Sequence, residues 1–124
     1  MTEYLTVVDV LAIHENQIAV YGGAEGVADM GLLEAALFRP QTGYYEDIIG
    51  ETAALWESLS QNHPFVDGNK RTGFAVAYTF LGLNGFVIKA SADEAIDFLD
   101  THYASGTIDF NVLEAWLRIN VDVV

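Results

Sequence analysis

The chain has 124 residues, of which 52% are hydrophobic and none is cysteine, and it carries a net charge of −13 because 18 aspartates and glutamates face five lysines and arginines. This length fits a single domain, residues 1–124, and the composition excludes a disordered chain, a disulfide framework and a cysteine-ligated zinc site. The acidic excess also argues against direct binding of nucleic acid, which depends on lysines and arginines that neutralise phosphates.

Three helices are predicted in the first half of the chain. Apolar residues recur at helical spacing over residues 6–21, up to a pair of glycines that ends the helix. Asp29 can cap a second, short helix at Met30–Phe38, which a following proline stops. After a loop at residues 40–47, the pattern predicts a third helix at about Ile48–Gln61 with one apolar side.

The second half of the chain predicts a central helix and two more. A helix is predicted at about Asn69–Leu83, and its apolar residues between Phe74 and Leu81 lie on all sides, which is typical of a helix buried in a core. Phe86–Ile88 read as a short extended connection or a lone strand. A capping box at residues 91–94 opens a fifth helix, and Asp109 can cap a sixth. The predicted fold is all-α, a compact bundle of about six helices around a central buried helix.

Neither a membrane segment nor a secretory signal is visible. No apolar run reaches about 18 residues, so we expect no membrane partner. The first residues, Met1-Thr2-Glu3-Tyr4, lack the basic segment of a secretory signal, which leads us to expect a cytoplasmic protein. The oligomeric state is left open by the sequence.

The most informative segment is residues 63–72, His-Pro-Phe-Val-Asp-Gly-Asn-Lys-Arg-Thr, between the third and fourth helices. It combines a base, a carboxylate, a flexible turn, an amide and two of the five cations. The first amides of a helix have no partner within it and lie at the positive end of its dipole. A loop that leads directly into a helix therefore favours a bound phosphate.

Two residues of this segment have the chemistry for the reaction itself. His63 can take a proton from an attacking hydroxyl, since imidazole is the side chain that exchanges protons near neutral pH. Asp67 is a hard oxygen ligand suited to Mg²⁺, which proteins bind through one or two carboxylates together with substrate phosphates.

The next four residues fit a phosphate. Gly68 lets the backbone approach a ligand closely, and Asn69 can cap the helix or bind a phosphate oxygen. Lys70 and Arg71 can neutralise phosphate charge, Arg71 with a bidentate fork. Taken singly, such residues more often form turns, caps and solvated ion pairs. Their order in one loop-to-helix segment favours the phosphate site.

Other residues with functional side chains are more simply explained by structure. His14 and His102 form no metal-ligand pattern with His63 and are predicted to be structural. The adjacent Tyr44 and Tyr45 are more often packing residues, although a substrate-positioning flap is an open alternative.

The segment strongly resembles the signature of the Fic/Doc superfamily, and within it the Doc (death-on-curing) toxins of type II toxin–antitoxin systems. That signature is a His, a Phe two residues later, an acidic residue, then Ala or Gly, Asn, Lys and Arg, and every position is matched here. Further similarity to Doc-type sequences covers most of residues 8–88. Ala28 departs from the pattern, because such toxins often carry Arg there.

The resemblance also indicates which reaction to expect. Fic-type adenylyltransferases carry Gly at the position of Lys70 and a second Arg at the position of Phe74. A lysine would intrude where those proteins seat an inner phosphate. Phe74 stands where they have a cation that binds the nucleotide. Both departures match Doc. The resemblance therefore implies ATP and Mg²⁺ as cofactors and transfer of the γ-phosphate to a threonine of elongation factor Tu, which arrests translation.

The resemblance further implies a protein partner. Many Fic proteins inhibit themselves through a helix with Ser or Thr, three residues, then Glu and Gly or Asn. Here Tyr21 and Leu11 stand at the required spacing before the only such glutamates, so that element is absent. A separate antitoxin is implied, usually of the Phd type. We expect its segment to bind as a helix in a groove between the early helices.

Two alternatives remain open. The chain could transfer AMP and tolerate Lys70, or it could be an inactive Doc domain that acts as a binding partner or co-repressor. A metal-dependent hydrolase fits least, because one His and one Asp make a poor metal cage.

Overall fold

The computed structural model describes all of residues 1–124, which form six α-helices and one two-stranded antiparallel sheet. The helices are α1 Val7–Tyr21, α2 Met30–Phe38, α3 Ile48–Gln61, α4 Asn69–Leu83, α5 Ala92–Ser105 and α6 Phe110–Asn120. The strands are β1 Phe86–Ile88 and β2 Val121–Val123. The predicted all-α bundle of six helices is confirmed.

Polar side chains mark the start of five of the six helices. Thr6, Asp29, Asp47, Ser91 and Asp109 each accept a hydrogen bond from the backbone N–H three residues later. These side chains satisfy amides that would otherwise lack a partner. The exception is α4, whose first turn has no side-chain cap.

The core lies on both sides of the packed pair α3 and α4. One hydrophobic cluster faces α5 and α6 and contains Trp56, and the other faces α1 and α2 and contains Phe80. The central position predicted for α4 is confirmed, but Tyr78 is 46% exposed, so one side of this helix meets solvent. Burial is more complete in α3, where ten of the 14 residues are buried.

Two connections differ from their predictions. Residues 40–47 were expected to be a loop, yet a short 3-10 helix covers Arg39–Thr42, because proline needs no N–H partner in the first turn of a helix. The extended segment Phe86–Ile88 is not a lone strand, since it pairs with β2 near the chain end. No helix is both long and apolar enough to cross a membrane.

Candidate active site

The motif loop, residues 62–68, joins α3 to α4 and is held in place from beneath. The ring of Phe65 is buried in the core, and the imidazole of His14 on α1 stacks on it with 3.9 Å between ring centroids. His14 Nε2 donates a hydrogen bond of 2.9 Å to the backbone carbonyl of Asp67. The structural role predicted for His14 is therefore confirmed.

Asn69 closes the motif loop from within. Its side chain is buried, Nδ2 donates to the carbonyl of Phe65 at 2.9 Å, and Oδ1 accepts from the N–H of Phe65 at 3.0 Å. Asn69 does not cap α4, because Gly68, with a φ of +76°, occupies the N-cap position. Its predicted role as a phosphate ligand stays a prediction, since both ends of the amide are engaged within the loop.

The loop between α1 and α2, residues 22–29, fixes the motif loop from its other side. The N–H groups of Ala28 and Asp29 donate to the carbonyl of Pro64 at 2.8 and 3.0 Å, and the N–H of Val66 donates to the carbonyl of Gly26 at 3.0 Å. Through these bonds, backbone groups of the motif loop that have no partner within the loop are paired with the α1–α2 loop. Ala28, the departure from the Doc pattern, contributes here through its backbone.

Asp67 projects its carboxylate between these two loops. Oδ2 accepts a hydrogen bond of 3.1 Å from the N–H of Ala24, and Oδ1 accepts one of 2.9 Å from the N–H of Gly68. The bond from Ala24, and then that from Gly68, hold the pKa of Asp67 below its usual value. The carboxylate therefore stays ionised, which a metal ligand requires.

The adjacent cations at the start of α4, Lys70 and Arg71, contact different helices, α5 and α1. Lys70 Nζ lies 2.5 Å from Asp100 Oδ1 and 5.0 Å from the ring centroid of Tyr103, both on α5. The guanidinium carbon of Arg71 lies 4.1 Å from the ring centroid of Tyr21, the last residue of α1.

These groups surround a cavity of about 460 Å³. Its lining residues are Tyr21, Gly22, His63, Val66, Asp67, Gly68, Asn69, Lys70, Arg71 and Tyr103. A larger cavity of about 650 Å³ lies between the start of α1 and α2, but its only charged lining residue is Glu34. The smaller cavity is the candidate active site, because it alone combines a base, a carboxylate and two cations at an uncapped helix start.

His63 occupies an unusual backbone conformation at the edge of this cavity. Its φ is +51°, and it is the only residue other than glycine with a positive φ. Non-glycine residues rarely adopt this region, and strained residues of this kind cluster at functional sites. The imidazole makes no hydrogen bond within the chain, so both ring nitrogens can meet a substrate.

The ligands available for a metal are few. No group of three or more His, Cys, Asp or Glu side chains is arranged to hold a metal ion. The ionised carboxylate of Asp67 fits Mg²⁺ only if phosphate oxygens and water supply the other ligands, which is how Mg²⁺ usually binds with nucleotides.

The aromatic pair on the loop before α3 lies outside this cavity. The Tyr45 hydroxyl accepts a hydrogen bond of 2.8 Å from Arg39 Nε, and its ring packs against Phe110. These contacts support the packing interpretation for Tyr45 over the substrate flap. His102 is likewise engaged in structure, since its Nδ1 lies 2.6 Å from Thr107 Oγ1.

Comparison with known proteins identifies the family of this chain. The model of the Fic/DOC family matches residues 4–81. The toxin Doc of Mycolicibacterium smegmatis is 49% identical over 98 residues, which cover 75% of this chain and 73% of that protein. The protein kinase doc of Escherichia phage P1 is 32% identical over 114 residues, which cover 89% of each. This chain belongs to the Fic/Doc family.

The Fic/Doc family model matches only part of the structure that forms the site. It spans α1 to most of α4, and α5 and α6 follow it. Tyr103, which lines the cavity, and Asp100, which pairs with Lys70, therefore come from beyond the segment that the family model matches. Sequence reasoning missed both, because nothing in the spacing of α5 indicates which of its sides meets Lys70.

Sequence reasoning also missed what the end of α1 and the α1–α2 loop contribute to this Fic/Doc site. Tyr21 and Ala24 contact Arg71 and Asp67 although more than 40 residues separate Ala24 from Asp67. The glycines around Ala24 were the available signal, because glycine often marks a close approach between backbone segments. From the sequence, Gly22 and Gly23 indicate the end of a helix and a similarity to Doc-type sequences, but not a contact with Asp67.

Proposed function

We propose that this protein is a Doc-type toxin that transfers the γ-phosphate of ATP to a threonine of elongation factor Tu and is neutralised by a Phd-type antitoxin. One observation carries the proposal. The cavity at the uncapped start of α4 brings together an unpaired imidazole, an ionised carboxylate and two cations, His63, Asp67, Lys70 and Arg71.

The residues of the cavity have separate tasks in this reaction. His63 accepts the proton of the threonine hydroxyl as its oxygen bonds to the γ-phosphorus, while the bond to the β–γ bridging oxygen breaks and ADP leaves. Asp67 holds Mg²⁺, which neutralises charge on the phosphates. The free amides at the start of α4, with Lys70 and Arg71, bind phosphate oxygens.

Phosphate transfer is favoured over AMP transfer by two side chains. The ring of Phe74 is buried and lies 5.9 Å from that of Trp56, so this position contributes to the core and offers no cation to a nucleotide. Lys70 carries a long side chain where AMP-transferring Fic proteins have bare backbone. Both features support the pose that presents the γ-phosphate.

The test is incubation of the protein with Mg²⁺·ATP and elongation factor Tu, followed by mass spectrometry of the factor. We expect the mass increase of one phosphate on a threonine, and no increase with His63→Ala, whose fold circular dichroism checks. A mass increase of AMP would support the adenylyltransferase. An unmodified factor with wild-type protein, or a wild-type rate with His63→Ala, would contradict the proposal.

For the antitoxin, we assign its helical segment to the cavity of about 650 Å³ between the start of α1 and α2. The groove is mainly apolar, and Phe38 at its edge is 63% exposed. The net charge of −13 favours a partner with basic residues flanking an apolar side. The name of the Mycolicibacterium smegmatis relative, toxin Doc, supports the existence of an antitoxin partner.

Co-expression with the neighbouring gene and affinity capture test this partner. We expect the gene product to be retained by wild type and lost with Phe38→Asp. Ile119→Asp on α6, at a site that is 83% exposed, is the matched control and should leave capture unchanged. Failure of wild type to retain the product counts against the antitoxin, and equal loss with Ile119→Asp counts against the groove.

A further inference from the structure

Arg71 is the one lysine or arginine of the chain without a carboxylate partner. Each of the other four lies within 4.0 Å of a carboxylate oxygen, in pairs such as Lys70 with Asp100 and Arg118 with Asp47. With 18 acidic residues in the chain, such a partner would be easy to supply. Arg71 instead has its guanidinium over the ring of Tyr21 and makes no hydrogen bond within the chain.

The two kinds of partner leave an arginine in different states. A carboxylate engages the N–H groups at the edge of the guanidinium and neutralises its charge. An aromatic ring contacts the guanidinium near 4 Å through its π-system, holds the group by cation–π attraction, and leaves the charge and the N–H groups available. Arg71 is thus fixed in direction while its donors stay free.

Apart from its contact with Arg71, Tyr21 makes little contribution to the fold. It is 53% exposed, its hydroxyl makes no hydrogen bond within the chain, and it is the last residue of α1 before Gly22. A side chain so exposed contributes little to the core. Its ring lines the same cavity as His63 and Asp67.

We propose that Tyr21 is a positioning residue for Arg71. The ring of Tyr21 orients the Arg71 guanidinium across the cavity and keeps the guanidinium N–H donors free for a phosphate oxygen of the nucleotide. This proposal rests on the proposed function, since it assigns Tyr21 to nucleotide binding at the same site. Because the contact acts in the ground state as well as in the transition state, its loss raises the KM for ATP and leaves kcat nearly unchanged.

Three substitutions separate the ring, its hydroxyl and an alternative partner. Tyr21→Phe keeps the ring and should match wild type. Tyr21→Leu removes the π-system but keeps apolar bulk, and we expect the KM and the calorimetric Kd for Mg²⁺·ATP to rise about two- to fivefold. Tyr21→Glu supplies a carboxylate that engages the donors, and we expect a larger rise than with leucine.

Tyr78→Leu is the matched control. Tyr78 is a similarly exposed tyrosine, 46%, which lies on α4 outside the cavity lining. Its replacement should leave both constants unchanged. The NMR signals of the Arg71 side chain supply a readout independent of turnover. We expect ring-current shifts in wild type and Tyr21→Phe, and their loss in Tyr21→Leu.

The outcomes distinguish the two proposals. If wild type binds Mg²⁺·ATP and Tyr21→Leu binds it equally well, or if Tyr21→Glu matches Tyr21→Phe, the role of Tyr21 is overturned while the proposed function stands. Transfer of AMP overturns the proposed function and leaves the comparison of Tyr21 variants valid. A wild-type protein that binds no Mg²⁺·ATP overturns both.

Discussion

At the scale of single residues, Asn69 shows how one side chain can hold a loop. Its amide is donor and acceptor at once, and it satisfies both the carbonyl and the N–H of Phe65 in a buried place. Aspartate has the same shape but cannot donate when ionised. The amide is therefore required at this position for a reason separate from any contact with phosphate.

We expect Asn69→Asp to lower the free energy of unfolding by about 1–3 kcal/mol, because the Phe65 carbonyl loses its donor and a charge is buried beside it. Urea unfolding measures this change. Asn16→Asp, at an exposed position on α1, makes the same chemical replacement and should change stability little. Equal stability of the two variants would show that the amide is dispensable.

Gly23 controls the position of the Asp67 carboxylate. Its φ is +116°, and a Cβ atom there would lie 2.8 Å from Asp67 Oδ2. We expect Gly23→Ala to displace the carboxylate, to break the bond from Ala24 and so to raise the pKa of Asp67 toward its ordinary value. Such a misplacement of a metal ligand lowers the transfer rate by up to about a hundredfold.

The control for this prediction is Gly22→Ala. Gly22 also has a positive φ, +83°, but a Cβ atom there meets nothing within 4 Å. Both variants carry backbone strain of about 1–3 kcal/mol because both positions have a positive φ, and Gly23→Ala alone adds the clash. NMR titration of the Asp67 carboxyl carbon follows the pKa, and an unchanged value in Gly23→Ala would refute the close approach.

At the scale of elements, the contact of α3 with α4 determines where the site lies, since the motif loop joins these two helices. Gly73 allows the close approach. A Cβ atom on it would lie 2.8 Å from Ser60 Oγ and 3.3 Å from Trp56 Cδ1. Ser60 can rotate, but the fully buried indole of Trp56 has no room to move.

We expect Gly73→Ala to destabilise the protein, because overpacking of a core costs about 1–3 kcal/mol and outweighs the gain of about 1 kcal/mol in helix propensity. Gly82→Ala, in the same helix, meets nothing within 4 Å and should stabilise by about 0.5–1 kcal/mol. Thermal unfolding of the pair tests this. Stabilisation by both substitutions would show that the helices can separate at no cost.

At the scale of the whole molecule, the net charge of −13 makes the folded state repel itself. The ion pairs of Lys70, Lys89 and Arg118 lie at the surface and contribute about 0–1 kcal/mol each, so their screening by salt costs little. We expect the unfolding midpoint at pH 7 to rise between about 0.05 and 0.5 M NaCl, by about 4 °C for each kcal/mol of repulsion removed. A midpoint that falls with salt would contradict this.

Acidification at high salt is expected to lower the stability of the fold. Hydrogen bonds or ion pairs lower the pKa of Asp9, Asp47, Asp67 and Asp122 below the ordinary value of 3.8. A group with a lowered folded-state pKa stabilises the fold fully above its unfolded pKa and loses that effect as the pH falls through the folded value. The contribution of these four carboxylates to the free energy of unfolding at 0.5 M NaCl should therefore be constant from about pH 7 to 5 and decline below about pH 4, as urea unfolding at each pH measures.

The sequence by itself determined the helices and the place of the motif. Caps such as Asp29 and Ser91 act on amides three residues away, and helical periodicity is equally local, so both can be read from the order of residues. The segment from His63 to Arg71 is contiguous, and its chemistry is visible without a fold.

Only the tertiary structure decided how that segment is held and where its cations point. The pairing of β1 with β2, the bond from Ala24 to Asp67, and the contacts of Arg71 with Tyr21 and of Lys70 with Asp100 join parts of the chain that are distant in sequence. Such contacts depend on which helix faces pack together, and that is fixed by the shape of the whole core rather than by any local pattern.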